Sequence, residues 1–404
     1  MSVEAGQVSL AEPPDVIATD QALQSILPAL TAATGRLAVD TERACGFRYS
    51  QRAYLIQLKT SATGVILLDP TGISPDSFAA LDTAVKDKEW ILHAASQDLP
   101  CLRECGLNPL RLFDTELSAR LLGREKVGLG PLVADVLGIT LAKDHANSDW
   151  SERPLPADWL SYAAADVEYL IELAAAVEKE LDEAGKRDWA RQECEFVLSA
   201  PPAPPRPDPW RRTANIHMVH TRRGLGVVRQ LCLVRESIAQ TTDLAPHRIV
   251  NDRAISALAA RVVDDGIPAS LITHMRTDWR HRVDPEHMDA FVDAVSTVKG
   301  MAQDQLPSVK APRHDPPAPN VWSRKNPQAA KRWEAVRPAV VALAESHHLP
   351  VENLIAPQPL RALLWDLQGT QEASVDHQLA DLGVRSWQRE LTVPVIAEAL
   401  TQQS

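Results

Sequence analysis

Hydrophobic and polar positions fall into two kinds of pattern laid end to end. Residues 10–198 mix β-like runs, such as AYLIQL (53–58) and GVILLD (64–69), with helix-like runs, such as SFAALDTAVK (77–86) and LSARLLG (117–123). The strands come early with short turns between them and later alternate with helices, which predicts a mixed sheet flanked by helices. Beyond residue 200 the periodicity is helical throughout. Two proline-rich stretches, SAPPAPPRPDPW (199–210) and LPSVKAPRHDPPAPN (306–320), cannot enter helix interiors and read as extended, semi-rigid linkers. The expected organisation is an α/β domain over 1–200, a linker over 201–212, a helical domain over 213–303, a linker over 304–322 and a second helical domain over 323–404.

The two helical parts resemble each other. Laying TDLAPHRIVNDRAISAL (242–258) over HHLPVENLIAPQPLRAL (347–363) matches Leu244 with Leu349, Ile249 with Leu354, Val250 with Ile355, Ile255 with Leu360 and Leu258 with Leu363. The shift is 349 − 244 = 105 residues throughout. Two helical domains can match apolar positions by coincidence, but the shared order of helix, short turn, apolar pair, polar loop and next helix points to a duplicated module.

A chain of 404 residues with 45% hydrophobic content supports two or three globular cores. No apolar stretch approaches the roughly 18 residues of a membrane span, and the first twenty residues lack the basic and apolar regions of a signal peptide. The expected setting is the cytoplasm, with no membrane partner. Five cysteines (Cys45, Cys101, Cys105, Cys194 and Cys232) without a C-x-x-C pair argue against a disulfide framework and a zinc ribbon, so reduced thiols are expected. The net charge of −11 argues against a general polycation but leaves room for a local basic face.

Three places carry acids against apolar surroundings. In LAVDTE (37–42) a short buried strand ends in Asp40 and Glu42, which alternation puts on one face with Thr41 on the other. Such a pair fits a bound cation, or a strand that simply runs out into solvent. Asp98, in EWILHAASQDLPCLRECG (89–106), follows a strand at the start of a helix, where it either serves chemistry or favours the first turn through the helix dipole. WLSYAAADVEYLIEL (159–173) reads as one amphipathic helix with Tyr162 and Asp166 four apart on the same face.

Taken in order, VDTE, RAYLIQL, HAASQDL, SDWSERPL and YAAADVEYL resemble the ribonuclease D family, of the tyrosine subtype of the DEDD exonucleases. The resemblance spans nearly all of residues 25–200, and the helical parts look like two HRDC domains (the helicase and RNase D C-terminal type). After DTE the family often continues with an aromatic residue, whereas this chain has RACGFRY. The resemblance implies a ribonuclease H-like α/β catalytic domain with a mixed sheet, followed by two all-α domains. It implies 3′→5′ hydrolysis of RNA, with tRNA precursors or other structured 3′ ends as partners, and calls for no protein partner. It also implies two divalent ions, Mg²⁺ or Mn²⁺, which such chemistry places about 3.5–4 Å apart. Asp40 would bridge them, Glu42 and Asp166 would hold the ion that activates water, Asp98 would hold the other side, and Tyr162 would orient the water. Hard oxygen ligands favour those metals over zinc.

Phosphate contacts are expected from Lys143 and Arg153, which flank DHANSDWSE (144–152), and from Arg211, Arg212, Arg222 and Arg223 in a basic stretch that also contains Arg206 and Arg229. Ordinary surface charge is the commoner explanation for the first pair, and a solvated connector accounts for the rest equally. Arg324, Lys325, Lys331 and Arg332 open the second module. His93 is expected as a hydrogen-bonded residue at a strand end, and Trp150 and Trp159 as packing residues. The rival readings are a DNA exonuclease with the same acids and a catalytically silent nucleic-acid-binding protein.

Overall fold

The computed structural model describes residues 7–8, 13–142, 145, 147–202, 204–263, 266–279, 283–310 and 316–402. The N-terminal part is built on six strands: β1 (Val16–Ile17), β2 (Arg36–Arg43), β3 (Ala53–Thr60), β4 (Gly64–Leu68), β5 (Glu89–Leu92) and β6 (Arg111–Asp114). They lie in the order β1-β4-β3-β2-β5-β6. The β2–β3 and β3–β4 pairs are antiparallel and the other three are parallel, so the sheet is mixed, as the run of early hairpin strands predicts. Strand β3 is buried along its whole length because helices cover one face and the remaining core the other, which is why its sequence is so apolar.

Among the described residues, eight helices accompany the sheet: α1 (Asp20–Ala32), α2 (Pro75–Val85), α3 (Leu99–Glu104), α4 (Thr115–Leu121), α5 (Leu129–Leu137), α6 (Ala157–Glu168), α7 (Leu170–Glu183) and α8 (Arg187–Ser199). The stretch expected as a single helix over 159–173 is broken at Tyr169 into α6 and α7. The Lys59 ammonium, rising from β3, hydrogen-bonds the Glu168 carbonyl and pairs with the Glu168 carboxylate at 3.3 Å, which ties the helix to the sheet at the break.

The duplication read from the sequence is present in the fold. The first helical module comprises α9 (Arg222–Thr242), α10 (Pro246–Ile249), α11 (Asp252–Ala259), α12 (Ser270–Asp278) and α13 (Pro285–Gly300). After a one-turn helix, α14 (Trp322–Lys325), the second repeats the order in α15 (Pro327–Ser346), α16 (Val351–Leu354), α17 (Pro357–Trp365), α18 (Glu372–Asp381) and α19 (Ser386–Thr401). The starts differ by 327 − 222 = 105, 351 − 246 = 105, 357 − 252 = 105, 372 − 270 = 102 and 386 − 285 = 101 residues. Even the N-caps correspond: Thr221 accepts from the Gly224 amide and Asn326 from the Ala329 amide. Four of the five matched apolar pairs are buried on both sides, while Leu244 is 37% exposed against 6% for Leu349.

Both modules touch the sheet-bearing N-terminal part through the turn after their long helix. Asp243 and His348, again 105 apart, both adopt positive φ, 50° and 52°. The Asp243 carboxylate accepts from the Ser50 amide at 2.8 Å and from the Tyr54 hydroxyl at 3.3 Å. On the other module, the His347 carbonyl accepts from Lys186 Nζ at 2.7 Å, and that ammonium also reaches the Leu121 carbonyl at 2.7 Å. The second module is held further: the Glu193 carboxylate of α8 accepts from Arg385 at 2.7 and 2.6 Å and from Trp387 Nε1 at 2.9 Å. Trp387 also stacks on Trp189, with ring centroids 4.7 Å apart. One continuous apolar core runs from Val177, Leu181 and Ala190 into Val384 and Ile396.

Gly123 marks the tightness of that junction, because its φ is +77° and a Cβ there would run into the His348 carbonyl oxygen. Gly123→Ala is therefore expected to destabilise the protein by about 1–3 kcal/mol. Calorimetry of the full chain should show a lowered Tm, and an unchanged Tm would mean that this junction is not formed in solution.

Candidate active site

Strand β2 and helix α6 bring the acidic residues together. Strand alternation aims Asp40 and Glu42 at the face that α6 covers, and the i, i+4 spacing on α6 presents Tyr162 and Asp166 to it. Among the described residues, Asp40, Glu42 and Asp166 offer carboxylate oxygens that all lie within 4.8 Å of one another. Glu42 is 8% exposed.

Asp98 stands at the N-cap of α3 but makes no capping bond with its side chain. Its carboxylate instead accepts from the Thr41 hydroxyl at 2.6 Å, so the residue between the paired acids holds the next acid in the sequence. The Thr41 hydroxyl is also 3.3 Å from Cys101 Sγ. Asp98 is thus beside the three-acid group and not within it, although it lies close enough to raise the Asp40 pKa.

Burial is the first cause of every acid shift here, and the crowding of like charges adds to it for Asp40 and Glu42. Those two carboxyls are pushed well above the usual carboxylate range, Asp166 up to about 7 and Asp98 up to about 6, the latter in spite of its bond from Thr41. The Tyr162 phenol is pushed upward as well, by burial and then by Asp166, Glu42 and Asp40, which places its hydroxyl in the field of all three acids. Three crowded carboxylates, with no cysteine or histidine in the group among the described residues, suit hard divalent cations.

A supporting layer escaped the sequence reading. Asp114, at the end of β6, is buried and accepts from the amides of Ala94, Ala95, Glu116 and Leu117 at 3.1, 2.8, 2.9 and 3.2 Å. It thereby pins the loop that delivers Asp98 and allows Ala94 a positive φ of 62°. His93 bonds Thr115 Oγ1 at 2.9 Å, and burial pushes its pKa down to about 4, so the ring is neutral at physiological pH. The signal for Asp114 was present, an acid closing the apolar strand RLFD just before a helix, but the same pattern describes a plain N-cap.

Next to the acids lies a cleft of about 630 Å³ whose walls include Leu129, Pro131, His145, Ser148, Tyr162 and Asp166. His145 packs edge-on against Tyr162 with centroids 6.0 Å apart and pairs with Asp158 at 3.3 Å. Neither His145 nor Ser148 was singled out from the sequence, since an isolated histidine in a polar loop carries no pattern. Trp150 is fully buried and Trp159 packs on it at 5.3 Å.

The cations expected at phosphate turn inward for the most part. Arg153 grips Asp69 at 2.6 and 2.9 Å and also donates to the Trp150 and Tyr54 carbonyls, both at 2.8 Å. Arg211 pairs with Asp208 at 3.1 Å and stacks on Trp210, Arg222 donates to the Leu306 carbonyl at 2.7 Å, and Arg223 donates to the Val298 carbonyl at 2.7 Å. Helix C-terminal carbonyls and the chain after them attract guanidinium groups, so these arginines tie the first module to its own exit segment. Arg212, Arg324 and Lys325 are exposed, and Lys143 lies outside the described residues.

Because the folded state binds protons more tightly than an unfolded chain with carboxyl pKa values near about 4, stability should fall as pH rises. The raised values put this loss between about pH 4 and 7. In chelator, Tm is expected to drop over that window, and Asp166→Asn should reduce the drop. Equal slopes for the two proteins would remove Asp166 as a source of it.

Comparison with known proteins gives consistent relatives. A family model described as 3′-5′ exonuclease matches residues 14–182, and one described as 3′ to 5′ exonuclease C-terminal domain matches residues 315–400. Ribonuclease D of Gluconacetobacter diazotrophicus is 30% identical over 291 residues, 70% of this chain and 72% of that protein. Ribonuclease D of Escherichia coli is 28% identical over 393 residues, 95% of this chain and 96% of that protein. Among solved structures, a protein from Bifidobacterium adolescentis superposes with a TM-score of 0.85 at 33% identity, over 97% of this chain and 99% of that one. The crystal structure of Escherichia coli RNase D, described as an exoribonuclease involved in structured RNA processing, superposes with a TM-score of 0.68 at 25% identity, over 96% and 98% of the two chains.

Proposed function

The chain belongs to the ribonuclease D family, and from that premise we propose that it is a 3′→5′ exoribonuclease releasing 5′-mononucleotides from RNA ends. The observation that carries the chemistry is the convergence of Asp40, Glu42 and Asp166 beside the Tyr162 hydroxyl. These acids would hold two Mg²⁺ or Mn²⁺ ions, with Asp98 supporting the set from the side of Thr41. When bound, the ions supply neutralisation of charge on the attacking and leaving oxygens and a nucleophile at neutral pH.

Tyr162 keeps its proton, since burial and three neighbouring carboxylates oppose a further negative charge. Its hydroxyl is therefore a donor that orients the attacking water, and not a base. Asp114 keeps the Asp98 loop in place through the Ala94 and Ala95 amides. The cleft beside Tyr162 receives the terminal nucleotide, with Leu129 and Pro131 as its apolar wall.

We assign tRNA precursors and other structured RNA 3′ ends as the substrate class. Support comes from the near full-length match to the Escherichia coli enzyme and from exposed Arg212, Arg324 and Lys325 at the entrances to the two helical modules. A cytoplasmic setting suits five free thiols, and no helix among the described residues is long and apolar enough to cross a membrane.

Incubation of end-labelled RNA and matched DNA with the full chain, with Mg²⁺ and with chelator, tests the reading. A metal-dependent ladder shortening from the RNA 3′ end is expected. Faster loss of DNA would favour a deoxyribonuclease, and binding without hydrolysis of either would leave a binding protein.

Two variants probe the roles. Asp40→Asn should abolish hydrolysis while keeping the fold, because it removes charge from the centre of the acid group and no packing contact. Tyr162→Phe should lower kcat by about 10²–10⁴-fold with metal affinity unchanged. If metal affinity fell and kcat at saturation held, Tyr162 would be a support for Asp166.

A further inference from the structure

Gln57 is fully buried in the middle of β3, and among the described residues neither its Nε2 nor its Oε1 has a hydrogen-bond partner. An unpaired buried amide is destabilising, and an aliphatic side chain of the same length would fill the space without that penalty. Packing alone does not account for it. Across β4 it faces Leu67, and the next residue on its face, Lys59, is committed to Glu168. Across β2 the register sets Gln57 directly opposite Asp40. Opposed residues of an antiparallel pair share a face with Cβ atoms roughly 4.5–5.5 Å apart, a gap that a glutamine side chain can bridge.

We infer that Gln57 is a positioning residue for Asp40: its Nε2 donates to the Asp40 carboxylate when metal is bound, fixing the oxygens turned toward Glu42 and Asp166. The inference rests on the metal-binding reading above. Carboxylates that ligate metal are themselves held by hydrogen bonds, and the loss of such partners weakens metal affinity. Being fully buried, Gln57 reaches neither solvent nor substrate and acts through Asp40.

The test is Mn²⁺ binding by the full chain, followed by calorimetry or by the EPR signal of the free ion, in wild type, Gln57→Met and Gln57→Asn. Gln57→Met keeps the length and loses both polar atoms, while Gln57→Asn keeps the amide one carbon further from Asp40. In both, the Mn²⁺ dissociation constant should rise, by about 10–100-fold for Gln57→Met. Tm in chelator should be unchanged or higher for Gln57→Met, and RNA hydrolysis should recover as Mn²⁺ is raised to saturation. Wild-type affinity in Gln57→Met overturns the inference, as does a lower chelator Tm without an affinity change. Failure of both variants to fold would make Gln57 a packing residue and overturn it as well. Wild-type protein that binds no Mn²⁺ would be a separate failure, that of the metal-binding reading itself.

Discussion

Three carboxylates whose oxygens lie within 4.8 Å of one another form an arrangement that opposes its own assembly. Desolvation and mutual repulsion both favour protonation there, and the fold must supply the stability that holds the group together. Much of the surrounding architecture serves that need. Strand β2 is locked between antiparallel β3 and parallel β5, so Asp40 and Glu42 cannot relax by slipping in register. Helix α6 is anchored over the sheet, with Lys59 fastening its end, so Asp166 cannot swing away. Thr41, facing the opposite side of β2, holds Asp98, and Asp114 holds the loop that carries it.

The helical modules show one structure used twice in different settings. Each has a long helix, a left-handed residue and a short helix, and each presents that turn to the catalytic part. In the first module the turn grips the β2–β3 connection through Asp243, next to the strand that bears the acids. In the second, the backbone around His348 closes on Gly123 while Lys186 bridges both partners. The second contact is the larger: it adds the Glu193–Arg385–Trp387 network and shares an apolar core with α7 and α8. The proline-rich stretches therefore join parts that are packed together, and the second module contributes to the stability of the unit that carries the site.

Several features were legible because they rest on local rules. Alternation along LAVDTE put Asp40 and Glu42 on one face, and helical spacing put Tyr162 above Asp166. The 105-residue shift was readable because equivalent cores need apolar residues at equivalent places, and four of the five matched pairs are indeed buried in both modules. Free cysteines followed from their number and spacing. The order of the three acidic motifs fixed the family, which composition alone did not.

What escaped the sequence depended on partners distant along the chain. A continuous amphipathic run over 159–173 carries no mark of the break at Tyr169, because the break coincides with an ammonium brought from β3. Clustered arginines look the same whether they face phosphate or their own backbone; the fold turned Arg223 toward the last turn of α13, Arg211 and Arg222 toward the chain after it, and Arg153 toward Asp69. The unpaired amide of Gln57 is invisible in AYLIQL until the sheet register sets it opposite Asp40. Periodicity, turn chemistry and motif order are properties of neighbours in sequence, so the chain determined its elements, its repeat and its acids. The direction of a charged or polar side chain depends on which desolvated group lies within about 3 Å of it, and only tertiary packing decides that.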